Sequence, residues 1–251
     1  MKRQLWVMMI IVGAWAVSVR GQVAVESFRK SKLNADTSQS LGLQFDYLSG
    51  NSEILMLKPT YRIDFMTPVG QSFVVANLQY GNRSGVNSVN QGLIHWRVMQ
   101  PWSEHTFGEL FFQKEYNDFR LISDRMLFGL SYRYVWADLL DNMGVRLATG
   151  VGIMNERETE NRVATTEHLR LSTYVAIVLA ESDMTFTSAT YVQPSLVDIN
   201  DFRVLSDNQF TFQLRPNVSF RCSAVVSYDN SPAPGVKTLD LSVSNGIALN
   251  F

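Results

Sequence analysis

The sequence predicts an all-β fold, a transmembrane antiparallel up-and-down β-barrel of about twelve strands, and three observations predict it. Segment after segment alternates apolar and polar residues, each roughly ten residues long and parted by turn-forming residues, as membrane-spanning strands do. Hydrophobic residues make up 46% of the 251 positions, yet mean hydropathy is close to zero. Interleaving of the two kinds of side chain has this effect, and it hides a lipid-facing surface from a sliding window. Finally, a basic start and an apolar run open the chain, and an aromatic residue, Phe251, ends it.

Taken in order, Lys2 and Arg3 precede the apolar run Leu5 to Val19, and Val19-Arg20-Gly21 follows. This is the pattern of a secretory signal over residues 1–21. The run is short against the roughly 20 residues a helix needs to cross a bilayer, so export is expected. Residues 22–37 carry Glu26, Arg29, Lys30, Lys32 and Asp36 without a sustained period and read as a periplasmic lead-in. The barrel is expected over residues 38–251.

Strands are expected at 38–48, 53–65, 72–81, 90–100, 104–116, 120–136, 141–155, 166–180 and 184–193, then one ending at Leu214, and at 217–228 and 237–251. Pro59 removes a ladder donor from the second, so weak pairing is expected beside it. The sixth alternates most cleanly: Met126, Phe128, Leu130, Tyr132, Tyr134 and Trp136 oppose Arg125, Gly129, Ser131 and Arg133. Its last three aromatics suit an interfacial girdle. In the seventh, Gly144, Ala148, Gly150 and Gly152 share a face and leave room for long neighbours. The charged run Glu156 to Arg162 then reads as an external loop.

The closing strand puts Leu239, Leu241, Val243, Ile247, Leu249 and Phe251 on one face, interrupted by Asn245, with small or polar residues on the other. A period of two sends alternate side chains to opposite faces. One face meets hydrocarbon and the other the lumen. The terminal Phe251 resembles the signal by which the barrel assembly machinery recognises its clients. That machinery and outer-membrane lipid are the expected partners, in the bacterial outer membrane. An even strand count, with the longer polar connections mostly after odd-numbered strands, puts both termini in the periplasm.

A soluble sandwich or lipocalin-like barrel would also alternate, but with apolar side chains inward and charges spread over the outside. Here rows of three to six large apolar side chains carry no charge, and the opposite rows hold Gly, Ala and Ser with interspersed Arg. A net charge of -1 with 18% charged residues argues against a nucleic-acid surface. The lone Cys222 has no partner for an internal disulfide and sits in an apolar row.

With the polar rows inward, Lys58, Arg62, Arg97, Arg125, Arg133, Arg146, Arg170, Arg215 and Arg221 point into the lumen against fewer anions, Asp46, Asp64, Glu109 and Asp240. A cationic excess along a narrow pore favours small anionic solutes. The competing expectation is an envelope-structural barrel whose charges pair and fill the interior. Arginine forks readily to carboxylates, a barrel of this size leaves a modest lumen, and filling is the expectation the sequence favours. Catalysis would need His95, His105 or His168, the only imidazoles. Ser103-Glu104-His105 falls at a tight turn, and no nucleophile elbow, HExxH or CxxC occurs. No enzyme, cofactor or metal is expected.

The segment Glu115-Tyr116-Asn117-Asp118-Phe119-Arg120-Leu121, followed by Arg125 and Gly129, and the ending from Tyr228 through Pro232-Ala233-Pro234-Gly235 to Asp240 resemble the uncharacterised, YdiY-like family of salt-induced outer-membrane barrels, a domain of unknown function. An early Gly50-Asn51 fits as well. In the first quarter, Leu41-Gly42-Leu43 replaces the family's usual glycine-rich opening. The resemblance implies an outer-membrane β-barrel, and the family brings no substrate or catalytic residue with it.

Overall fold

The computed structural model describes residues 37–48, 54–83, 86–136, 144–160 and 162–250. The expected signal over residues 1–21, the lead-in up to residue 36 and the terminal Phe251 lie outside the described residues. So does the side chain of Asp46.

Among the described residues the chain forms β1 (Thr37–Leu48), β2 (Ile54–Thr67), β3 (Gly70–Arg83), β4 (Val86–Pro101), β5 (Thr106–Asn117), β6 (Ile122–Val135), β7 (Val145–Glu160), β8 (Ala164–Glu181), β9 (Met184–Pro194), β10 (Phe202–Arg215), β11 (Val218–Asp229) and β12 (Leu239–Asn250). A 3-10 turn, Asp118–Arg120, links β5 to β6. Each strand pairs antiparallel with its sequence neighbour, and β1 pairs with β12, so the twelve strands close into a barrel. Closure removes the free edges that an open sheet would present. The closing seam is short: the described ladder between β1 and β12 runs from Ser40↔Asn250 to Gln44↔Gly246, whereas β1 and β2 pair along the whole of β1.

Outward rows follow the expected phase. On β6, Phe128, Leu130 and Tyr132 are exposed, while Arg125, Leu127, Gly129 and Arg133 are buried inside. On β12, Leu239, Val243, Ile247 and Leu249 are exposed on the outer face. At the near end, where β1 begins and β12 ends, Trp102 lies beside Tyr132 and Tyr134 meets Trp136 edge-on at 4.8 Å. Towards the opposite, far end the outer face turns charged: Lys114 pairs with Asp124 at 3.2 Å, and Arg157 faces Glu167 at 3.8 Å. The apolar belt therefore stops short of the far rim.

Two expectations about connections change. The run Glu156 to Arg162 is not a loop, because β7 continues to Glu160 and pairs with β8 as far as Glu160↔Ala164. Its alternation of charges is the continued pleat of a strand that has left the belt. The third and fourth strands likewise run on to Arg83 and from Val86, so the expected loop over 82–88 shrinks. Beside Pro59 the β2–β3 ladder breaks between Leu57↔Tyr80 and Thr60↔Asn77 and resumes in register, as a missing donor requires.

Candidate functional site

Among the described residues, buried charged groups converge in the interior and gather at the far end. Alternation on β5, β6 and β7 aims Glu115, Arg125, Glu156 and Glu158 inward near the strand ends. Arg120 comes from the 3-10 turn, Arg203 from the start of β10 and Asp229 from the end of β11. Arg125, fully buried, hydrogen-bonds Glu115 and makes charge contacts with Glu158 at 2.9 Å and Glu156 at 3.5 Å. Arg203 bonds Glu156 through one nitrogen and Asp229 at 2.8 Å through Nε. Arg170 donates Nε–H to Glu156 at 2.8 Å and grips Asp201 with both terminal nitrogens. Arg120 lies 3.5 Å from Asp229 and 4.0 Å from Asp240. Burial, then the charges of Arg125 and Arg203, lower the Arg120 guanidinium from its ordinary value.

Four arginines thus meet six carboxylates, Glu115, Glu156, Glu158, Asp201, Asp229 and Asp240. The expected shortage of lumenal anions does not hold at this end, because most of these carboxylates sit where the sequence reads as a loop or a turn. Such a lattice ties strands β5 to β12 together with buried side chains at the far end. Its arginines suit the task because one guanidinium serves two or three carboxylates at fixed angles.

Below the lattice the waist is packed and partly apolar. The His95 ring lies between Phe73 and Phe111 at 5.9 and 6.0 Å, and its Nδ1 meets Gln113 at 3.0 Å. Gln113 in turn donates to Glu115 at 2.6 Å, joining the waist to the lattice. Phe111, Leu127 and Met154 form one inward cluster, and Ala148, Tyr174, Ala176, Ala189, Tyr191 and Leu205 another. Phe73 and Val75 have 0% exposure although they face the barrel interior. Small residues make this density possible: a Cβ on Gly129 would lie 2.4 Å from Phe111, and one on Gly150 would lie 2.1 Å from Tyr174. A cavity of about 40 Å³ opens among His95, Phe111, Met154, Tyr174 and Tyr191, room for a few waters.

In the near half, Arg62 is forked to Asp64 and lies 4.1 Å over Phe73. Arg97 reaches Glu109 at 3.0 Å, and Arg133 reaches the Tyr174 hydroxyl at 3.1 Å. Lys58 is buried. Arg146 keeps the inward phase of β7 but is exposed at the near rim, and Arg215, displaced by the irregularity at Gln213/Arg215, is exposed there too. Arg221 faces inward on a different kind of wall. Along β11, β12 and β1 the inward residues are Ser219, Ser223, Ser242, Ser244, Gly246, Ala248, Ser40 and Gly42, and several of those at mid-height are partly exposed.

The residues the sequence reading missed are Glu115, Arg120, Glu156, Glu158, Asp201, Arg203 and Asp229. For Glu156 and Glu158 a signal existed: they continue the inward phase of Ala148, Gly150 and Gly152. Arg120 and Asp201 lie outside the strands, and no periodicity points to them. Of the imidazoles, His168 lies 3.7 Å from Asp201. The Ser103 hydroxyl pairs with Thr106 at 2.7 Å, and His105 lies against Tyr134 at 6.2 Å. Among the described residues no group of three or more His, Cys, Asp or Glu converges as a metal site.

Comparison with known proteins agrees with this architecture. The chain resembles the NanC porin with a TM-score of 0.52 and 8% identity, covering 84% of this chain and 98% of that one. It resembles the KdgM porin with a TM-score of 0.47 and 9% identity, over 86% and 99% of the two chains. For the translocator domain of the autotransporter NalP from Neisseria meningitidis the TM-score is 0.45 at 9% identity, over 90% and 92%. The likeness to the NanC porin is one of fold, a porin-like closed barrel. No curated protein matches the sequence significantly. Residues 45–251, nearly the whole barrel, match the family described as "Protein of unknown function, DUF481", and the chain belongs to that family.

Proposed function

We propose that this protein is a bacterial outer-membrane barrel with a filled lumen, an envelope-structural element that does not stand open as a pore. One observation carries the reading: inward-facing side chains at the waist and far end, Phe73, Val75, Arg125 and Glu156, have 0% exposure, so water does not reach them. The exposed apolar rows and the near-end aromatics support a membrane location. Within the same reading, residues 1–21 direct export, residues 22–37 lead in from the periplasm, both termini are periplasmic, and Phe251 addresses the assembly machinery. The resemblance to salt-induced barrels extends the proposal to an envelope meeting changing ionic strength.

A second reading, a narrow channel for small anionic solutes, is favoured by the partly exposed serine-rich wall that carries Arg221. Its inward rows lack the bulk that blocks the other side. Planar-bilayer recording of refolded protein under a salt gradient tests the two. Silence is expected. Discrete steps whose reversal potential favours anions would overturn the filled-lumen reading and establish the channel.

A further inference from the structure

We propose that Arg221 centres a binding site for a small oxyanion inside the barrel. Arg62, Arg97, Arg120, Arg125, Arg133, Arg170 and Arg203 each hydrogen-bond a carboxylate or a tyrosine hydroxyl. Arg221, among the described residues, bonds to nothing, and its Nε is buried without a partner. An arginine partly withdrawn from water, with a buried N–H left unmatched, is costly, and an arriving anion offsets that cost.

Among the described residues the surroundings supply further donors. Arg221 stands opposite Gly246 in the β11–β12 ladder. That glycine leaves space which the Gln44 side chain crosses: a Cβ on Gly246 would lie 2.3 Å from the Gln44 Cγ. Gln44 thus flanks the same glycine as Arg221, and its amide makes no hydrogen bond among the described residues. Ser219, on the same face of β11, has a buried hydroxyl without a partner. Arg62, opposite Ser40 in the β1–β2 ladder, has its own carboxylate, Asp64, already engaged.

A guanidinium fork, an amide and a hydroxyl give several N–H and O–H groups for an anion with more than one oxygen. A halide would use fewer of them. Inorganic phosphate is accordingly the probe, with sulfate as a second oxyanion and chloride as the control. The inference rests on the inward phase of β11 and does not require conduction.

Calorimetric titration of the refolded chain in detergent with phosphate is expected to give saturable binding, with chloride far weaker. Arg221→Gln should weaken binding at least about tenfold, the loss of a charge-assisted hydrogen bond. Arg221→Lys, which keeps the charge and loses the fork, and Gln44→Leu should each weaken it several-fold. Circular dichroism identifies the variants that fold, and Arg221→Lys and Gln44→Leu carry the test if Arg221→Gln does not. Absence of saturable phosphate binding by the parent chain, or undiminished binding by the folded Arg221 variants, overturns the site. A silent bilayer with phosphate binding upholds both proposals. A conducting barrel without phosphate binding overturns both, and conduction with binding overturns the filled lumen alone.

Discussion

From β3 to β9 the inward face carries large, dry side chains set among small ones, whereas along β11, β12 and β1, apart from Arg221 and Val225, which packs on the core cluster, it is mostly serines, glycines and alanines, several of them partly wet. Both walls share one hydrogen-bonded ladder and one outward apolar phase, so the backbone does not distinguish them. The difference lies in what each wall asks of its neighbours. On the large-residue wall, Gly129 and Gly150 exist to admit Phe111 and Tyr174, and buried charges are matched partner by partner. On the small-residue wall Ser223 meets Ser244 at 2.9 Å, and Arg221 is left over. One side of the barrel is a core in the ordinary sense, and the other is a lining.

That contrast can be broken most sharply at Glu156. It bonds Arg170 and Arg203 and lies 3.5 Å from Arg125, so Glu156→Ala leaves several buried guanidinium groups short of a counter-charge. Equilibrium unfolding in urea and detergent should show a loss of about 3–5 kcal/mol, the usual result of removing one partner from a buried ion pair. A loss under 1 kcal/mol would mean that the far-end lattice is more hydrated than its geometry indicates.

Gly150→Ala comes next. The new methyl would lie 2.1 Å from the Tyr174 ring, forcing that ring and its contact with Arg133 aside. Overpacking of this kind costs about 1–3 kcal/mol, and the same unfolding measurement reads it. The smallest effect belongs to the opposite wall. Ser223→Ala removes one hydroxyl from a partly wet pair, and about 1 kcal/mol or less is expected. Equal costs at Gly150 and Ser223 would erase the distinction between core and lining.

The barrel itself was legible because lipid imposes a strict alternation on its outer rows, as on β6 and β12. Interior composition obeys no such rule. Phe73 and Val75 face inward while Val74 faces outward, so β3 is apolar on both faces and its phase cannot be read from hydrophobicity. The far-end lattice was hidden for another reason. Above the belt both faces of β7 are charged, Glu156 and Glu158 inside and Arg157 outside, and the contrast that marks a strand disappears. Arg120, Asp201, Arg203 and Asp229 meet only after closure brings turns and strand ends together, an outcome of register that no single segment encodes. Arg62 and Arg97 stood out in the sequence together with their partners, Asp64 and Glu109, whereas Arg125 and Arg170 stood out without theirs.

The brief ladder between the first and last strands gives the cylinder a direction of weakness. Every other junction among the described strands shares its load over a longer run of peptide hydrogen bonds, so thermal breathing is expected to concentrate where Leu41 to Leu43 adjoin Ile247 to Leu249. Gln44 and Gly246 stand at the inner margin of that splice, and anything that firms or loosens the splice is felt first by the groups around Arg221.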